Sequence, residues 1–74
     1  MLALRFIDDL TREVIDDSWT ISDTMIGLAP LPGETVTLHF GDKSEYYKVT
    51  DRHWNLDHKN VYETRIDIYV KHIY

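Results

Sequence analysis

Two segments, "YYKVTDRHW" over residues 46–54 and "TRIDIYVK" over residues 64–71, interleave cations with aromatic rings. Tyr46, Lys48, Arg52, Trp54, Arg65, Tyr69 and Lys71 carry the pattern. Two chemistries use it. On an exposed sheet, rings stack on the bases of a single strand, each worth ~1–3 kcal/mol, while cations follow the phosphates. Tyr, Trp and Arg are equally the residues enriched at protein interfaces. The plain alternative is a solvated face, since long cationic stems and tyrosines are tolerated on any exposed sheet. A chain of net charge −5 is repelled by bulk nucleic acid, so protein contact is the favoured reading and single-strand binding the second.

If these segments pair as a hairpin closing at Asp57–Asn60, Val49 faces Ile68 and Tyr47 faces Val70 on the core side. Outside, Lys48 then faces Tyr69, Tyr46 faces Lys71 and Arg52 faces Arg65. Two opposed arginines repel unless an anion, or Asp51, Glu63 or Asp67, lies between them.

A second cluster, "DDLTREVIDD" over residues 8–17, gathers Asp8, Asp9, Glu13, Asp16 and Asp17. Such acids can mimic a phosphate backbone and occupy a cationic groove, but a charge cluster without an acid–base or metal partner is ordinarily a wet hairpin tip. A tight turn and a longer loop give different registers here, and the apolar faces choose between them only in part. The longer loop sets Phe6 opposite Ile15, Leu2 opposite Trp19 and Arg5 opposite Asp16. Asp17 would then point inward, and a bulge at Asp16–Asp17 returns it to solvent.

The four histidines invite a metal search, and "DRHWNLDH" puts Asp51, His53, Asp57 and His58 close together. That spacing matches no ligand pattern, so no metal is expected. His39 is expected to face solvent, and His72 receives no role. Ser18, Ser22 and Ser44 stand outside any nucleophile motif, and the glycines form no phosphate-binding loop. A small barrel also fills its interior with its own side chains. The expectation is a protein without a cofactor and without catalytic activity.

The elements that must position these residues alternate at a period of two. Leu2, Leu4 and Phe6 share one face, as do Val36, Leu38 and Phe40, and then Tyr62, Ile66, Ile68 and Val70. Further strands are expected around Val14–Ile21 and Tyr46–Trp54. Turn residues separate them in "DDLTRE", "PLPGE", "FGDKSE" and "LDHKN". In "SDTMIGLAPLPG", Ser22 or Asp23 caps a single helical turn stopping at Gly27, within a connection that crosses from one sheet to another. The expected fold is all-β: a small five-stranded antiparallel barrel, SH3-like first and OB-like second. Trp19 is placed in the core and Trp54 at its margin, with a bulge near Asp51–Arg52.

Composition agrees with one small domain. Seventy-four residues, 43% hydrophobic and 28% charged, describe a folded chain rather than a disordered one. Without cysteine there is no disulfide framework, and without a signal or membrane-spanning run a soluble, cytoplasmic protein is expected. Residues 1–23 hold six acids against two bases, so most of the excess negative charge sits at one end.

The succession "RFID…TREVID", "PLPGETVTL", "YYKVTDRHW" and "TRIDIYVK" resembles small β-barrel proteins encoded by bacteriophages and other mobile elements. The resemblance implies an accessory or inhibitory role acting on a host or partner protein. Charge polarity and strand edges add one more expectation, a weak homodimer joined edge to edge with Tyr69 and Ile73 in the contact.

Overall fold

The alternation becomes five strands in the computed structural model, which describes residues 2–59 and 64–73. β1 is Leu2–Asp8, β2 Val14–Ile21, β3 Thr35–Phe40, β4 Lys43–Asn55 and β5 Arg65–His72. One short 3-10 helix, Asp23–Leu28, lies between β2 and β3. The strands form a single curled sheet, a half-barrel, in the order β2-β1-β5-β4-β3. Asn60 at the close of the expected turn, Tyr62 on the last strand and Glu63 as a screening acid lie outside the described residues.

The pairs β1·β2, β3·β4 and β4·β5 are antiparallel, as expected. The pair β1·β5 is parallel, with Ala3 to Asp8 beside Arg65 to Val70, and here the order departs from a strictly antiparallel one. The cause is connectivity. β2 folds back on the outer side of β1 and β4 lies on the outer side of β5, so two hairpins meet through strands that run the same way. In the central strand β5, Ile66 and Ile68 are buried on the core side, and Asp67 between them is buried on the opposite side by Arg5, Arg65 and Asn55.

The core occupies one face of the sheet. Leu4, Phe6, Leu38, Tyr47, Val49, Ile66, Ile68 and Val70 are buried there, with Leu2, Ile15, Ile21 and Val36 packed around them. Each fully buried aliphatic contributes roughly 1.5–3 kcal/mol. The connection after β2 runs between the two edge strands of one sheet, rather than between two sheets as expected. Ala29, 2% exposed, joins the core cluster from this segment. The Met25 amide donates to the Ser22 carbonyl at 2.9 Å, and the helical segment runs one residue past Gly27.

Turn chemistry sets the hairpins. β3 and β4 are joined by Gly41 and Asp42 alone, with Phe40 paired to Lys43. Gly41 has φ +68°, the positive value that a two-residue hairpin needs at its first central position. Between β1 and β2, the Asp8 carboxylate accepts from the amides of Leu10 and Thr11 at 2.8 and 3.1 Å, and Arg12 adopts φ +63°. This hairpin starts in the tight-turn register, Leu2 against Ile21 and Leu4 against Trp19, and shifts twice before Ile7 meets Val14. The longer-loop pairs, Phe6 with Ile15 and Arg5 with Asp16, do not form, because two irregularities in β2 absorb the mismatch. One falls between Asp16 and Trp19, where a bulge was expected, and Asp17 is exposed there.

Trp19 is not in the core. It is 46% exposed, more than Trp54 at 37%, since it lies on β2, an edge strand with a neighbour on one side only. The edge-joined dimer through Tyr69 and Ile73 also meets an obstacle: β5 is flanked by β1 and β4 and has no free edge along its paired length.

Candidate functional site

Residues opposite one another on neighbouring strands share a face. On the face away from the core, β4 and β5 place Lys48 directly opposite Lys71. Tyr46 lies two residues before Lys48 on the same face, opposite Thr37, and Tyr69 lies two before Lys71. Four of the seven expected contact residues thus form one patch. Lys48 and Lys71 are exposed, Tyr46 is 48% exposed and Tyr69 is half-buried. The expected partners of Lys48 and Tyr46, Tyr69 and Lys71, are displaced because the strands slide by two residues, which preserves the face but brings like charges together. Neither lysine forms an ion pair among the described residues.

Arg12 joins the patch from the first hairpin, its guanidinium 4.9 Å from the Tyr69 ring centroid. The Asp9 amide donates to the Val70 carbonyl at 2.9 Å and fixes that hairpin beside β5. No local signal in the sequence indicates this contact, since it depends on the parallel pairing. A hollow lined by Lys48, Lys71, His72 and Ile73 adjoins the patch, and a second one reaches from Lys71 and His72 to Asp8, Leu10 and Arg12.

The other three expected contact residues do not join the patch. A register shift between Val49 and Asp51 turns Arg52 and Trp54 to the core side, opposite Ile68 and Ile66. The bulge falls where the change of phase predicts it, but its effect is to remove both residues from the convex face. Arg52 there reaches the Ala29 carbonyl at 3.5 Å and lies 5.9 Å from the Trp54 ring centroid. Arg65 is on the convex face yet engaged, its Nε 3.3 Å from Asp67. The expected opposition of Arg52 and Arg65 does not occur, since Arg65 faces Asn55.

Asp67 is the centre of a separate group. Only 3% exposed, it accepts from Arg5 through Nε at 3.0 Å and Nη2 at 3.3 Å, from Arg65, and from the Asn55 amide. Arg5 thus pairs across the parallel neighbour, not with Asp16. The two guanidiniums and one amide saturate the carboxylate, so Asp67 is a structural group and holds no lone pair for a substrate.

The acids of the first hairpin are mostly occupied locally. Asp8 caps its turn, and Asp9 lies 3.6 Å from Arg12. The Asp16 carboxylate accepts from the Ser18 amide at 2.9 Å, the Ser18 hydroxyl at 2.6 Å and the Trp19 indole at 2.9 Å. Partial desolvation raises its pKa, but these hydrogen bonds outweigh it and hold the carboxyl below its ordinary 3.8. Glu13 and Asp17 remain exposed. Because the folded pKa of Asp16 is depressed, its contribution to stability is present above 3.8 and is lost as pH falls through the lower folded value. Protonation also weakens the charge-assisted bond to the Trp19 indole. Trp19 fluorescence followed during acid titration of a Trp54→Phe variant is expected to show a step below pH 3.8 before the fold is lost, and Asp16→Asn should abolish it.

His72 acquires a role that the sequence does not suggest. Its Nε2 lies 2.6 Å from Glu45, and its ring meets Tyr47 edge-on at 5.2 Å between centroids. The hydrogen bond from His72, helped by Lys43, lowers the Glu45 pKa against a smaller desolvation effect. Burial, with Glu45 and Asp8 nearby, raises that of Tyr47. His39 is exposed as expected and its Nδ1 lies 2.9 Å from the Ser44 hydroxyl. Among the described residues, no three His, Asp or Glu side chains gather as a metal ion requires, and no helix is long and apolar enough to cross a membrane. Compared with family models, curated proteins and solved structures, the chain matches none.

Proposed function

We propose that this is a non-catalytic protein-binding domain that engages an acidic protein surface through the convex patch of Tyr46, Lys48, Tyr69 and Lys71. The observation that carries the reading is the direct opposition of Lys48 and Lys71, two exposed cations without an acid between them on a chain of net charge −5. Like charges opposite one another on a sheet destabilise it, and a carboxylate supplied by a partner turns that repulsion into attraction. The flanking tyrosines provide rigid contact area, with Arg12 over Tyr69 extending it.

Single-strand nucleic acid is the weaker reading. An oligonucleotide track needs a run of free cations along the backbone. Here Arg52 lies on the other face and Arg65 is neutralised by Asp67. The phosphate-mimic reading is also weaker, because Asp8, Asp9 and Asp16 are committed to local bonds. With the resemblance to phage and mobile-element barrels, the reading extends to an accessory or inhibitory protein working in the cytoplasm on a host or partner protein.

The test uses the intact chain as bait, beside the double variant Lys48→Glu/Lys71→Glu. A specific protein retained by the wild type at about 0.15 M salt and lost from the variant is the expected result. Anisotropy of a labelled oligonucleotide should not rise under the same conditions. Tight oligonucleotide binding that falls steeply with salt, and is lost in the same variant, would replace this reading with the nucleic-acid one.

A further inference from the structure

The two edges of the half-barrel are unlike. β2 is shielded by two register shifts and by Asp16 and Asp17, the usual means by which an edge is kept from pairing. β3 has neither. Over Thr35–Phe40 it pairs with β4 in unbroken register, and it contains no proline and no Asp, Glu, Lys or Arg.

The direction of its free backbone groups follows from one bond. The Val49 amide donates to the Glu34 carbonyl at 2.8 Å, so the backbone of Glu34 faces β4. Hydrogen-bonding direction alternates along an antiparallel strand. Val36, Leu38 and Phe40 therefore also bond inward, while Thr35, Thr37 and His39 direct their N–H and C=O groups out from the edge. The strand's residue types read alike in both directions about Thr37: polar, apolar, polar, apolar, polar from Thr35 to His39.

We propose that β3 pairs with the β3 of a second copy, antiparallel, about a two-fold axis at Thr37. Thr35 then lies opposite the second copy's His39, and Val36 opposite the second copy's Leu38 on the core side. The three outward residues of each copy exchange both of their bonds, and no charge meets a charge. A second copy is the occupant because the pattern is symmetric about Thr37: returning antiparallel, the same sequence sets apolar on apolar and uncharged polar on uncharged polar, and one two-fold axis closes the pairing with no edge of β3 left open. This pairing uses neither Lys48 nor Lys71, so it stands or falls apart from the convex patch.

Sedimentation of the intact chain over a range of concentration and salt tests it. The expected result is a monomer–dimer equilibrium that strengthens as salt screens the −5 charge of each copy. Thr37→Lys sets two cations together at the axis and should weaken association roughly fivefold or more, while Thr37→Val should preserve it. Hydrogen exchange on the wild type gives a reading independent of any variant: the amides of Thr35, Thr37 and His39 should gain protection as concentration rises. A monomer at every concentration would overturn the proposal. So would a dimer indifferent to Thr37→Lys, one dissolved by salt, or protection that rises along β2 instead.

Discussion

Replacing Asp67 with alanine is expected to remove about 3 kcal/mol of stability, from a domain whose total is about 4–11 kcal/mol at this length. The substitution leaves Arg5, whose side chain is 27% exposed, with its guanidinium facing the sheet and no counter-charge. It also strips Arg65 and the Asn55 amide of their acceptor. Severing one member of a buried ionic group generally costs ~3–5 kcal/mol. Arg65, 37% exposed, can turn to water, which places this case at the lower end. Asp67→Asn preserves the shape but presents an amide to donors, and an intermediate loss is expected. Exchanging the main pair together, Arg5→Met with Asp67→Leu, should be milder than Asp67→Ala, because no uncompensated charge then remains at that pair. Urea unfolding with an unchanged m value would measure all three. A loss under ~1 kcal/mol in Asp67→Ala would mean that both arginines reach water freely and that the group is not structural.

Ile68→Ala carries the other large effect. Ile68 is fully buried at 0% exposure, paired with Phe6 on one side and with Arg52 on the other. Removing its branched chain from the middle of the sheet is expected to cost ~2–4 kcal/mol, through lost transfer energy and the cavity left behind. Leu38→Ala, at 3% exposure, should fall in the same range. Val36→Ala should cost less, since Val36 is only half-buried on the edge strand. Denaturant midpoints would rank them, and equal tolerance of Ile68→Ala and Val36→Ala would contradict the placement of the core.

The faces of β1, β3 and β5 were legible in the sequence, while their neighbours were not. A period of two assigns Leu4, Phe6, Leu38, Ile66, Ile68 and Val70 to one side whatever they pair with, and all six are buried together. Register depends on turn length and on bulges, which alternation constrains weakly. The slide of β4 against β5 by two residues is invisible to face assignment, yet it decides that Lys48 meets Lys71 and not Tyr69. Bulges were anticipated near Asp16–Asp17 and near Asp51–Arg52, but not that the second would carry Arg52 and Trp54 off the convex face. Asp67 beside Arg65 is among the screening acids that the sequence offers, but the choice of Arg5 as its other partner has no local trace. Arg5 and Asp67 are 62 residues apart, and only the parallel pairing of β1 with β5 brings them together.

That parallel pairing also governs the order of events by which the chain reaches its fold. The hairpins β3·β4 and β4·β5 join neighbours in sequence, and such contacts form within ~1–10 μs in isolated hairpins. Docking β1 against β5 closes a loop spanning most of the molecule, and the entropy lost in closing it must be offset before any of its contacts stabilise the chain. The first hairpin, itself a local contact, can close as early as the others, and its docking on β5 is the step expected last. Substitutions at Arg5, Asp67 or Ile7, which lie along that seam, should act mainly on the unfolding rate, whereas changes within β3 and β4 should slow folding itself. The seam expected to assemble last also holds the buried carboxylate, so on this order resistance to opening arrives with the final step.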